Sequence, residues 1–115
     1  MGLFSSLFGK EYVEKCLKDL YCALKKEYGE RAKENGEFFD SRDIWDMKDL
    51  RDKYSTDGKG AFGNIRSAHI VKFWYEKKSE AFFMSVSGTV RGETRTHRAM
   101  EKDNEPGEIH ILLDY

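Results

Sequence analysis

Hydrophobic positions along the chain change period once. Up to about residue 54 they recur at helical steps of three and four, and from residue 65 onward they alternate at steps of two. In the first region Val13, Cys16, Leu17, Leu20 and Leu24 form one stripe with Tyr21 and Tyr28 at its edge. Glu11, Glu14, Lys15, Lys18, Asp19, Lys25 and Lys26 take the remaining surface. That distribution predicts an amphipathic helix over residues 10–28. EYGERAKEN contains no breaker other than Gly29, so the helix is expected to run on to the Asn35-Gly36 stop. A second helix is expected to start near Asp40. Asp40 or Ser41 suits the N-cap, Phe39 can staple to Ile44, and Ile44, Met47, Leu50 and Tyr54 give a buried side.

The densest β-favouring stretch is Ile65 to Val90, which predicts the central hairpin of an antiparallel sheet, turning at Lys77-Lys78-Ser79. Val71, Phe73 and Tyr75 share one face of its first strand, and Ala68, Ile70 and Trp74 share the other. On the second strand Phe82, Met84 and Val86 oppose a weaker face of Ala81, Phe83, Ser85 and Ser87. Apolar residues on both faces imply cover on both sides. Arg91 to Thr94 reads either as a tight turn into a third strand, TRTHRAM, or as a kinked continuation of the second. A turn at Pro106-Gly107 then leads into a last strand, IHILLDY, with Ile109, Ile111, Leu113 and Tyr115 on one face.

The expected fold is therefore α+β, with N-terminal helices packed on a four-stranded antiparallel meander. It forms one domain over residues 1–115: an apolar turn at 1–9, a helical part at 10–54 and a sheet at 65–115. Its apolar face is Val71, Phe73, Phe82, Met84, Val86, Ile109, Ile111 and Leu113. In element order alone this resembles the nuclear transport factor 2-like and cystatin-like folds, which implies no activity.

Composition narrows the class. With 39% hydrophobic, 14% aromatic and 36% charged residues, the chain is a folded domain and not a disordered one. A net charge of -1 argues against general nucleic-acid binding, whose usual footprint is a basic domain. Cys16 and Cys22 point about 120° apart on one helix and cannot bridge while it is intact, so free thiols and a cytoplasmic location are expected. No stretch reaches the roughly 18 apolar residues of a membrane span. Leu3, Phe4, Leu7 and Phe8 are expected to form a lid on the sheet. The other readings of this segment are a partner plug, a membrane tether, or an acylated end, since Gly2 and Ser6 fit the myristoylation pattern.

Candidate chemistry is sparse. Gly58, Gly60 and Gly63 resemble the glycine-rich phosphate loop of protein kinases over about eight residues. Lys72 follows too soon for the kinase lysine, and neither H-R-D nor D-F-G occurs, so the run reads as a crossover loop. Asp43, Asp46, Asp49 and Asp52 spiral around a helix and do not converge on a metal. His69, His97 and His110 lack the local spacing of a metal site, and no cofactor or metal is indicated.

The local excess of positive charge is Arg91, Arg95, His97 and Arg98, a candidate grip for a carboxylate or phosphate. Ile70, Trp74 and Phe83 form the second apolar face, a candidate interface for a protein partner or a second copy. These features point to a small binding or adaptor module that takes an anionic small molecule or an acidic protein. The alternatives are a small enzyme with a helix/sheet pocket and His69 or His110 as general base, and a membrane-associated protein tethered by its N-terminus.

Overall fold

A computed structural model of the chain describes residues 9–41, 68–90 and 93–114. These residues form one helix and an antiparallel sheet, in the order α1 (Gly9–Asn35), β1 (Glu37–Ser41), β2 (Ala68–Glu76), β3 (Ala81–Val90), β4 (Glu93–Lys102) and β5 (His110–Leu112). Strand order in the sheet follows chain order. The α+β class is as expected, while the element count differs. Asp40 and Ser41, expected at the start of a helix, lie in β1 opposite Lys72 and Val71. Backbone pairing along the edge of β2 makes this stretch a strand, and a run as short as EFFDS carries too little periodicity to advertise one. The rest of the expected second helix lies outside the described residues, as do the 1–8 segment and the glycine-rich loop.

α1 runs through Gly29 and stops at Gly36, whose positive φ of 82° suits the left-handed position after a helix. The Gly36 N–H donates to the Ala32 carbonyl at 2.7 Å, and the Gly36 carbonyl accepts from Tyr75 N–H, which ties the helix end to β2. Lys33 adds an ion pair to Asp103 at 3.3 Å and lies over the Tyr75 ring. The Tyr75 hydroxyl donates to Asp103, and this bond pushes its phenol up to about 12. The ambiguity at Arg91 to Thr94 resolves as a reversal, because Val90 pairs with Glu93.

The helix stripe packs on the sheet face anticipated for the core. Val13, Leu17, Leu20, Tyr21 and Leu24 meet Val71, Phe73, Phe82, Met84 and Val86, all of them buried. Phe73 lies at the centre, edge-on to Tyr21 at 5.9 Å and stacked on Phe82 at 5.8 Å. Side chains of this size each contribute about 1.5–3 kcal/mol on burial, so this layer is the main source of stability. Ile109, Ile111 and Leu113 close it as partly buried neighbours.

Candidate functional site

Strand parity divides the described residues of the cationic cluster between the two faces of the sheet. Arg91 lies outside the described residues. His97 is fully buried on the helix side of β4, opposite Val86. Its Nδ1 accepts the Asp114 N–H at 2.9 Å, so the neutral ring carries its hydrogen on Nε2. Arg95 donates from Nη1 to the Asp114 carbonyl at 3.2 Å, and the Thr96 N–H donates to Asp114 Oδ2 at 3.0 Å. Two members of the cluster therefore hold an acidic residue of the same chain. Burial pushes the His97 imidazole down and Arg95 adds to this, with Asp114 opposing them. Arg98 points the other way, exposed on the sheet face turned from α1.

That outer face is organised in rows across the strands. Lys72 pairs with Ser85, Ser85 with Arg98, and Arg98 with Leu112. One row on, Trp74 pairs with Phe83, Phe83 with Met100, and Met100 with His110. Trp74 and Phe83 stack at 5.6 Å with an interplanar angle of 12°. Residues two apart on a strand stand about 7 Å apart, so over β2 to β4 an apolar row runs beside a cationic, hydroxyl-bearing one, and the register continues them into β1 at Glu37 and Asp40. Trp74, Phe83 and Met100 are half-buried, and Leu112 is 63% exposed. Ile70 lies in β2 opposite Ser87, and its side chain is outside the described set. The Ser87 and Thr96 hydroxyls bond to each other at 2.9 Å on the same face.

On the helix side, a cleft of about 480 Å³ opens beside Tyr21, Lys25, Glu101, Gly107 and Ile109. Glu101 is its buried charge. Oε1 accepts from the Tyr21 hydroxyl at 2.8 Å and from Lys25 Nζ at 2.6 Å, and Oε2 accepts the Gly107 N–H at 2.7 Å. Burial pushes this carboxyl up, but the bonds from Lys25, Gly107 and Tyr21 outweigh it and hold it below the usual carboxylate range. Burial and the bond to Glu101 drive the Tyr21 phenol far above its ordinary value. A carboxylate fixed in its charged form by three donors is a strut between α1, β4 and the turn before β5, and is poorly suited to exchanging protons near neutral pH. Sequence reasoning missed it. Its signal was parity: Glu101 shares a face with His97 and Ala99, and an acid on a core-facing position needs buried partners.

His97 and His110 do not gather, the first buried and the second exposed. His69 lies in β2, with its side chain outside the described set, and His110 is exposed, 3.6 Å from Glu105 in an ion-pair geometry. His110 faces outward beside Met100 and does not line the cleft, so the helix/sheet pocket contains no histidine among the described residues. Glu105, Glu108 and His110 bring ligand atoms within 4.8 Å of one another on the turn before β5. Tetrahedral zinc bonds of about 2.1 Å place ligand atoms about 3.4 Å apart, so these exposed side chains would have to close in to hold an ion. No family model, curated protein or solved structure matches this chain.

Proposed function

We propose that the protein is a binding module that takes an acidic protein partner on the outer face of its sheet. The observation that carries this reading is the pair of parallel rows, Trp74–Phe83–Met100 beside Lys72–Ser85–Arg98. An aromatic row supplies contact area at small entropic cost, and a guanidinium on a rigid strand forks onto carboxylates. A partner that alternates acidic and apolar side chains, as a strand or a helix face, matches both rows together.

A second copy is the rival occupant, since Trp74 and Phe83 are also the centre of any homodimer through this face. Charge does not separate the two occupants, because Asp40 of β1 pairs with Lys72 and Glu37 with Trp74, so each row carries an acid at its β1 end. The enzyme reading has less behind it. The best-built polar cluster, around Glu101, is saturated by its own donors. Among the described residues no helix is long and apolar enough to cross a membrane.

The test is titration with a panel of synthetic peptides that alternate glutamate with leucine or phenylalanine, followed by amide chemical shifts. Shifts should cluster on Lys72, Trp74, Phe83, Ser85, Arg98 and Met100, and Trp74→Ala and Arg98→Glu should each weaken binding at least about tenfold. Shifts confined to other surfaces, or unchanged affinity in both variants, would reject the outer face as the site.

A further inference from the structure

The segment after β5 is fastened to β4 by hydrogen bonds that converge on Asp114. Its N–H donates to His97 Nδ1, its carboxylate accepts from the Thr96 N–H, and its carbonyl accepts from Arg95. One of these bonds depends on a protonation state. A neutral imidazole accepts at Nδ1, whereas an imidazolium donates at both nitrogens and has no acceptor left. A proton added to His97 goes onto the atom that receives the Asp114 N–H, so two hydrogens then face each other. We propose that His97 and Asp114 form an acid-released clasp, closed at neutral pH, whose opening lifts the segment after β5 and bares the edge of β4 to a further strand.

The surroundings of His97 favour the closed, neutral state. β3 places Val86 opposite it and contributes no charge there. The buried stripe of α1 on this side of the sheet is Val13, Cys16, Leu17 and Leu20, uncharged throughout. Arg95, on the same strand, repels a proton on the ring. Among the described residues Asp114 is the opposing charge, and its Oδ2 is already engaged by Thr96. Burial dominates and lowers the imidazole's affinity for protons, so the closed state binds the proton less well than the open one. Opening therefore rises as pH falls below about 6.5, the ordinary histidine value, approaching tenfold per pH unit. It levels off once the closed state is itself protonated. The exposed edge is the kind of template to which an extended segment adds a strand.

The experiment is amide hydrogen exchange on the full chain, corrected for intrinsic rates, from about pH 7.5 to about pH 5. The Thr96 and Asp114 amides should lose at least about tenfold of their protection over this range while Leu20 in α1 keeps its own. His97→Asn places a non-titrating carbonyl close to the Nδ1 position and should make the profile flat. His110→Gln removes the other histidine of this region and should leave the wild-type profile intact. A wild-type profile that is already flat, or one abolished by His110→Gln, overturns the proposal. So does an acid-dependent loss that survives in a folded His97→Asn variant. Should that variant not fold, the ring carbon shifts of His97 in the wild type decide: titration together with the loss of Asp114 protection supports the clasp, and titration apart from it refutes it.

Discussion

The Tyr21 hydroxyl reaches across 80 residues of sequence to donate to Oε1 of Glu101 at 2.8 Å, and this bond anchors the middle of α1 to β4. Both groups are buried in the intact protein. Tyr21→Phe should cost about 1 kcal/mol and Glu101→Gln about 2 kcal/mol, because the second change weakens three bonds to a charge and the first deletes one. Lys25 is partly exposed and regains solvent in the Glu101 variant, which keeps the loss at the lower end for a buried charge. The double variant should be less destabilised than the two single losses added together. Urea denaturation of the four proteins measures all of this, and strict additivity would show that the two side chains do not act as a unit.

The same carboxylate sets part of the acid limit of the fold. Its folded affinity for protons is below the ordinary value of 4.5, so its stabilisation is complete above that pH and is lost as pH falls through the lower folded value. Below pH 4.5 stability should therefore decline more steeply in the wild type than in Glu101→Gln. Thermal midpoints measured across this range check the slope, and equal slopes would assign the acid sensitivity to other groups.

Gly29 within α1 and Gly36 just after it should respond with opposite signs to the same substitution. Gly36→Ala forces a side chain into φ 82° and should cost about 1 kcal/mol, with Gly36→Asn closer to neutral. Gly29 is interior to the helix, and a Cβ there meets Lys25 Cγ at 3.3 Å and the Phe82 ring at 3.9 Å. Lys25 can give by a few tenths of an ångström, so Gly29→Ala should gain up to about 0.5 kcal/mol from helix propensity. A loss above about 1 kcal/mol at Gly29 would mean that the ion pair with Glu101 holds the Lys25 stem rigidly.

Cys16 and Cys22 should separate in a thiol titration. Cys16 is buried and Cys22 exposed. Partial burial of the Cys22 thiol, with the carboxylates of Glu101 and Asp19, pushes it above its ordinary value. One thiol should label under native conditions near pH 8, more slowly than free cysteine, and the second only on unfolding. Two thiols reacting at equal rates in the folded protein would contradict the packing of α1.

Periodicity made much of the frame readable. The α1 stripe of Val13, Leu17, Leu20 and Leu24, the alternation of Val71 and Phe73 with Trp74, and that of Phe82 and Met84 with Phe83 are local properties of spacing, which any α+β packing must respect. They determined the class, the run of the helix to Asn35 and the apolar face of the central hairpin. Register and partner choice are not local. That EFFDS lies along β2, that Glu101 rests under Tyr21, and that Arg95 and His97 hold Asp114 while Arg98 faces outward all depend on pairings between segments remote in sequence. A cluster of cations adjacent in sequence was divided by strand parity between two faces. Lys72, which no local motif marks, was brought beside Arg98 through Ser85. The alternation of side chains is a property of each strand alone; which charges meet across a sheet is decided only when the strands take their register.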